Sequence, residues 1–342
     1  MADATLTPTR AETAARGSLV GAIARQRELS LVAVMLVLGA GVTILAPQFL
    51  SVGNLSQVAV LASITAMAAT GQALVVITRN IDLSVEATMG LVAYVVAITL
   101  ENHVLGGPTA ILIGIAIGAA LGMVNGLLVT AFNVPSIVAT LGTLSIFRGI
   151  DYVIAGPHQV PLAALPKGFT DPARDTIHGL PLFVVIVVLV VILGSALLRW
   201  TSLGRQVYAV GSNPEAAAIL GIPARGVTFI AFTLCGLLAG IAAVMWVMEF
   251  GTINGTAATG YVLAVVAAVV VGGVNIFGGS GTLVGAAIGA YFLGFVANAL
   301  ILVGLSQFWL QAIYGVVILA AVSADAVIAR RLQAITARGR RR

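Results

Sequence analysis

The chain is poor in charge. Only 8% of its 342 residues are Asp, Glu, Lys or Arg, whereas 60% are hydrophobic. A soluble globular domain carries about 25% charged residues, so this composition excludes an ordinary soluble protein. The apolar runs are about 20 residues long, which is the length a helix needs to cross a bilayer, and they lack the alternation of barrel strands. We therefore predict an all-α integral membrane protein.

Residues that usually carry chemistry are also scarce. The single cysteine, Cys235, allows neither an intrachain disulfide nor a cysteine-built metal site. The histidines His103, His158 and His178 lie far apart near predicted loops, which is typical of solvated side chains. The only lysine, Lys167, follows a proline, so it cannot complete a Gly-Lys-Ser/Thr phosphate-binding loop. We expect no catalytic residue, no metal and no cofactor bound by this chain.

The remaining sequence is a series of apolar runs. We predict ten transmembrane helices, at about 29–47, 55–77, 83–101, 109–131, 136–155, 179–199, 227–249, 258–274, 281–303 and 308–327. This divides the chain into an N-terminal segment 1–28, a membrane domain 29–327 and a basic tail 328–342. The even number of spans places both termini on the same side of the membrane.

The basic residues indicate which side this is. Sixteen of the seventeen are Arg, and they cluster at the two ends and in the 199–225 loop. This follows the positive-inside rule, so we expect both termini, Arg79 and the loop 200–226 in the cytoplasm and the loop 156–178 outside. The net charge of +5 thus indicates contact with anionic lipid rather than with nucleic acid.

A polar stretch interrupts the apolar runs at 211–222. Asn213 suits a helix N-cap and Pro214 the first turn, where Glu215 also complements the helix dipole. Ile219 and Leu220 would be apolar anchors, and Gly221 would end the helix. A short capped helix of this kind suits the groove of a partner protein, although a plain interfacial helix without a partner is the alternative. The candidate coupling residues are Asn213, Pro214, Glu215, Ala216, Ala217, Gly221 and Ile222.

A few polar residues fall inside or beside the predicted spans. Asp82 and Glu86 have the i,i+4 spacing of one helix face. There they could cap the helix N-terminus, or they could contact the transported solute or gate its passage. Arg148 and Asp151 have the spacing of a structural ion pair. The candidate pathway or gate residues are Asp82, Ser84 and Asn125. A proton- or sodium-driven carrier usually has a relay of buried acids, which this sequence lacks, so an external energy source is favoured.

Several motifs in the same order resemble one family over residues 50–325. They are Asn80-Ile81-Asp82-Leu83-Ser84-Val85, Asn125-Gly126-Leu127, Val134-Pro135-Ser136-Ile137-Val138-Ala139-Thr140-Leu141-Gly142-Thr143, Gly211-Ser212-Asn213-Pro214-Glu215-Ala216-Ala217 and the glycine pairs at 272–273 and 278–279. With these, the chain resembles the membrane permease subunits of bacterial ABC sugar importers of the ribose, xylose, arabinose, rhamnose and autoinducer-2 type. It departs from them at Asn80, where Gly is common, and at Glu86-Ala87, where Gly-Ser is common. These departures leave the sugar open.

The resemblance implies a type II ABC importer-like permease in the bacterial inner membrane. It implies a cytoplasmic ABC ATPase that binds ATP and Mg and contacts the 204–226 segment, a periplasmic sugar-binding protein, and a second permease chain, identical or different. A pentose, a rhamnose-like deoxy-sugar or a related small solute would be the cargo. The alternatives are an amino-acid ABC importer, an ion-coupled carrier, and an enzyme or assembly protein using the loop residues His158, Asp171, Asp175 and His178.

Overall fold

A computed structural model describes residues 10–306, 308–320 and 323, with side chains from residue 28 onward. In this part of the chain the helices are α1 (Arg10–Leu45), α2 (Val52–Ile77), α3 (Val85–Glu101), α4 (Gly107–Thr130), α5 (Ser136–Ala155), α6 (Lys167–Thr170), α7 (Leu182–Trp200), α8 (Ser202–Ser212), α9 (Pro214–Ile219), α10 (Ala224–Glu249), α11 (Tyr261–Val271), α12 (Leu283–Leu302) and α13 (Trp309–Ala320). Three short 3₁₀ helices lie at Pro47–Leu50, Leu162–Ala164 and Asp171–Ala173. The strands are β1 (Val160–Pro161), β2 (Thr176–Ile177), β3 (Leu180–Pro181) and β4 (Thr252–Ile253). They form two antiparallel pairs, β1 with β4 and β2 with β3.

Within the described residues, seven helices are long and apolar enough to cross a membrane: α1, α2, α4, α5, α7, α10 and α12. The shorter helices α3, α11 and α13 fall on the other three predicted spans, so the number ten remains a prediction. The membrane-length part of α1 begins at Glu28, in agreement with the predicted start at 29. The helix itself extends back to Arg10, well into the predicted N-terminal segment. The predicted basic tail 328–342 lies outside the described residues.

The centre of the fold is α2, most of which is buried by α7, α10, α11 and α12. In contrast, α1, α5 and α7 leave apolar side chains exposed, including Val37, Val153 and Leu193. Such outward apolar faces suit helices that border lipid, where no water is present to favour polar side chains.

Glycines allow α4 and α10 to pack closely. A Cβ at Gly118 in α4 would lie 2.5 Å from the carbonyl oxygen of Gly236 in α10, and one at Gly122 would lie 2.4 Å from that of Phe232. The two backbones therefore touch along this seam. Close packing through small residues is the usual way in which helices associate in lipid.

The helix ends that carry the candidate site meet at one end of the fold. The amide of Gly279 donates to the carbonyl oxygen of Ile77 at the end of α2, at 2.9 Å. Gly211 in α8 lies against the same carbonyl group. The Arg79 loop and the 200–226 loop thus lie on the same side of the helices, as the count of spans predicted. The loops that join α3 to α4 and α10 to α11 lie at the opposite end.

Candidate functional site

The polar stretch at 211–222 forms a short capped helix, α9. The side chain of Asn213 accepts a hydrogen bond from the amide of Ala216 at 3.0 Å, Pro214 begins the helix and Glu215 lies in its first turn. The helix ends at Ile219, and Gly221 follows with a φ of +76°, a conformation that glycine adopts without strain. The sequence-based prediction of the N-cap and the glycine stop is therefore confirmed.

This helix presents an unusual surface. Ile219 is 86% exposed and Leu220 is 78% exposed, and Glu215 and Ala216 also face outward. Large apolar side chains in such positions mark an interaction surface when they lie together. We call this group (Glu215, Ala216, Ala218, Ile219 and Leu220) the α9 surface.

Two of the candidate coupling residues lie on the other side of α9. Ala217 is only 2% exposed and belongs to the hydrophobic core, and Ile222 packs against that core. The Ala217 side chain is therefore not available to a partner protein, whereas Ile222 is half-buried. Both side chains pack α9 and the residues that follow it against the hydrophobic core.

A close junction connects α9 to the rest of the protein. A Cβ at Gly211, near the end of α8, would lie 1.7 Å from the carbonyl oxygen of Ile77 and 2.6 Å from the amide nitrogen of Gly279. In addition, Tyr208 donates a hydrogen bond to the carbonyl oxygen of Gly281 at 2.9 Å. We call this contact of α8, the end of α2 and the 278–281 loop the glycine junction. At this junction no side chain separates the backbone of Gly211 from those of Ile77 and Gly279.

The three candidate pathway residues lie together in one buried hydrogen-bonded cluster. Asp82 accepts hydrogen bonds from the Ser84 hydroxyl at 2.7 Å and from the Ser84 amide at 2.8 Å. Asn125 donates to Ser84 at 2.7 Å and accepts from Thr143 at 2.6 Å. All four side chains are buried. Sequence reasoning missed Thr143, although it lies within one of the motifs quoted for the family resemblance.

The cluster connects three parts of the chain: the break between α2 and α3, the last third of α4, and α5. Asp82 and Ser84 are in the break itself, which the hydrogen bonds of their side chains stabilise. Irregular backbone inside a membrane protein requires such internal partners. These hydrogen bonds therefore stabilise the break between α2 and α3.

The expected pairing of Asp82 and Glu86 on one helix face is wrong. Asp82 lies before α3, while Glu86 is in its first turn and points elsewhere. The Glu86 carboxylate accepts from the amide of Val262 at 3.2 Å and lies 3.8 Å from the guanidinium of Arg148. The Arg148–Asp151 ion pair, at 3.5 Å, is confirmed. Arg148 also donates to the carbonyl oxygen of Ala257 at 2.8 Å and thereby joins α5 to the loop before α11.

Other candidate residues lie far from both groups. His158 is paired with Glu101 at 2.7 Å at the opposite end of the fold from α9. Cys235 is buried and not in a disulfide. Among the residues that the structure describes, no three His, Cys, Asp or Glu side chains are close enough together to hold a metal ion.

The sequence was compared with known proteins. Residues 54–322 match a family described as the permease component of the branched-chain amino acid transport system. The autoinducer 2 import system permease protein of Enterobacter sp. (strain 638) is 36% identical over 91% of this chain and 89% of its own length. The ribose import permease protein of Escherichia coli (strain K12) is 37% identical over 85% of this chain and 91% of its own length. The comparison with solved structures found no match.

These matches extend over the helices that carry both the α9 surface and the buried cluster. The family match alone covers well over half of the chain, and the similarity to each relative extends over nearly its whole length. The chain therefore belongs to the family of permease components of the branched-chain amino acid transport system.

Proposed function

We propose that this protein is the transmembrane permease subunit of an ATP-driven, binding-protein-dependent importer of a sugar or a related small solute. The observation that carries the proposal is the similarity, over almost the full length, to a ribose import permease and an autoinducer 2 import permease. The family description names branched-chain amino acids, but both relatives import other solutes.

In this proposal α9 is the coupling helix. A cytoplasmic ABC ATPase, which binds ATP and Mg, contacts the α9 surface, where the exposed Ile219 and Leu220 fill an apolar groove. Closure of the ATPase pair moves α9, and the glycine junction carries this movement to the end of α2. The buried cluster at Asp82, Ser84 and Asn125 stabilises the break between α2 and α3 while the helices around it move.

The remaining partners follow from the same assignment. A periplasmic sugar-binding protein docks at the end of the fold opposite α9. A second permease chain, identical or different, completes the pore in the bacterial inner membrane, and both termini face the cytoplasm. This orientation is supported by the arginines Arg79, Arg199, Arg205 and Arg225, all of which lie at the α9 end.

Purification from the native membrane tests the proposal. The tagged chain is isolated in mild detergent, the co-purifying chains are identified by mass spectrometry, and ATP hydrolysis and ATP-dependent sugar uptake are measured after reconstitution. We expect an ATPase subunit in stoichiometric amount. Replacement of Glu215 by Lys or of Gly221 by Val should reduce coupled uptake while the chain still inserts at normal levels.

The alternatives predict different results. Uptake driven by an ion gradient in ATP-depleted vesicles would contradict the proposal and support a secondary carrier. ATP-dependent uptake of amino acids but of no sugar would support an amino-acid importer. Normal uptake by both variants at normal expression would show that α9 is not the coupling helix.

A further inference from the structure

A large cavity lies at the opposite end of the membrane domain from α9. It has a volume of about 700 Å³ and lies between the first half of α2, the ends of α10 and α12, and the beginnings of α11 and α13. Its size is within the ~300–1,000 Å³ typical of small-molecule sites. None of the candidate site residues found by sequence reasoning lines it.

One wall of the cavity is aromatic. Trp246 stacks on Phe250, with 4.0 Å between the ring centroids and 24° between the planes. Its indole also meets the ring of Tyr261 edge to face, with centroids 5.1 Å apart. The hydroxyl group of Tyr261 is hydrogen-bonded to Thr65 in α2. These contacts orient the aromatic rings of the wall.

The other walls carry neutral polar groups. Asn54 and Asn298 form a reciprocal pair of amide hydrogen bonds, at 2.8 and 2.9 Å. The amides of Gln57 and Gln311 line the cavity at exposed positions, where they are accessible to a solute. Amides both donate and accept hydrogen bonds, which is what a hydroxyl group requires of its partner.

The described part of the lining carries no charged side chain. None of the described residues around the cavity is Asp, Glu, Lys, Arg or His. Glu249, which is three residues from Trp246, and Glu86, whose carboxylate accepts from the amide of Val262, do not line it. A free amino acid carries a carboxylate and an ammonium group, and burying these without a charged or strongly hydrogen-bonding partner is costly. The lining therefore disfavours an amino acid and favours an uncharged solute.

We propose that this cavity binds a neutral, polyhydroxylated solute of monosaccharide size. The C–H groups on one face of a sugar ring pack against the aromatic wall of Trp246, Phe250 and Tyr261, and its hydroxyl groups bond to Gln57 and Gln311. This inference rests on the proposed function and names the site and the chemical class of the cargo. An uncharged cavity would also explain why a member of this family imports a sugar, although the family description names amino acids.

The test modifies the cavity after the protein has folded. The native Cys235 is buried, so an engineered cysteine is the accessible thiol of this chain. Gln57→Cys lies in the cavity, and Val104→Cys lies in an exposed loop at the same end of the fold. The importer is purified with its partner chains, reconstituted, and treated from outside with a bulky maleimide. The uptake of radiolabelled neutral pentoses and deoxyhexoses, beginning with D-ribose, is then compared with that of L-leucine.

We expect the label at Gln57→Cys to stop sugar uptake, while ATP hydrolysis stimulated by the binding protein continues. The labelled Val104→Cys variant and the treated unmodified chain should transport normally. Sugar uptake that continues after complete labelling of Gln57→Cys would overturn the cavity assignment and leave the proposed function intact. ATP-dependent uptake of L-leucine without uptake of any sugar would contradict both proposals.

Discussion

The glycine junction provides a sharp test of how α9 is connected to the membrane helices. An added Cβ at Gly211 would lie 1.7 Å from the carbonyl oxygen of Ile77. An ordinary carbon–oxygen contact is about 3.3 Å, so the substitution Gly211→Ala must separate the two backbones by about 1.6 Å. The added Cβ would also lie 2.6 Å from the amide nitrogen of Gly279, so we expect the 2.9 Å hydrogen bond from this amide to the same oxygen to break.

The cost follows from these two effects. An overpacked contact costs about 1–3 kcal/mol, and a buried polar group left without a partner costs about 1–3 kcal/mol. We therefore expect Gly211→Ala to destabilise the protein by about 2–6 kcal/mol. Because the strain falls between α8 and α2, coupled uptake should decrease even in molecules that remain folded.

The assay compares two glycines at the same end of the protein. Gly226, in the first turn of α10, has no atom nearer to an added Cβ than 3.9 Å. In a helix, Gly→Ala is favourable by about 0.5–1 kcal/mol when space allows, so Gly226→Ala should be neutral or stabilising. The thermal midpoint of the purified chain and ATP-dependent uptake are measured for both variants. If Gly211→Ala has the same thermal midpoint and the same uptake as Gly226→Ala, the direct contact between the backbones of Gly211 and Ile77 is refuted.

Three further predictions concern the buried part of the fold, each measured as the thermal midpoint in detergent. Arg148→Met leaves the Glu86 and Asp151 carboxylates without their cation, which should destabilise the protein by about 3–5 kcal/mol. Gly118→Ala pushes α4 away from α10, because the new Cβ would lie 2.5 Å from the carbonyl oxygen of Gly236. It should destabilise the protein by about 1–3 kcal/mol. Asn125→Ala removes hydrogen bonds from both of its hydroxyl partners and should cost about 1–3 kcal/mol.

Each of these variants has a matched control. Arg174→Met removes an exposed arginine, Asn102→Ala removes an exposed asparagine, and Gly142→Ala adds a Cβ with no atom within 4 Å. The controls should keep the thermal midpoint of the unmodified chain. If a buried variant and its control have equal midpoints, the contact assigned to that residue does not stabilise the protein.

Local features were predictable from the sequence. The capped helix α9 could be predicted because its signals, Asn213, Pro214 and Gly221, are neighbours in the chain and act on their own backbone. The i,i+3 ion pair of Arg148 and Asp151 was predictable for the same reason. The family resemblance was carried by contiguous motifs, and the comparisons confirmed it.

Features formed by distant segments were not predictable. The spacing of Asp82 and Glu86 suggested one helix face, but the helix begins only after Asp82, so the two carboxylates have different partners. Thr143 completes the buried cluster from a neighbouring helix, and periodicity gives no information about which helices are neighbours. Similarly, the cavity collects Gln57, Trp246 and Gln311 from three helices whose sequences show only apolar spans.

The most direct test of the account is a crosslink from the α9 surface. Ile219→Cys places a reactive thiol at a position that is 86% exposed, in a chain whose native cysteine is buried. A thiol-to-amine crosslinker is added to the purified importer, and the crosslinked chain is identified by mass spectrometry. We expect Ile219→Cys, and not Val104→Cys, to crosslink to the co-purifying ATPase subunit. An ATPase subunit that co-purifies in stoichiometric amount but gives no crosslink from Ile219→Cys would contradict the assignment of α9 as the coupling helix.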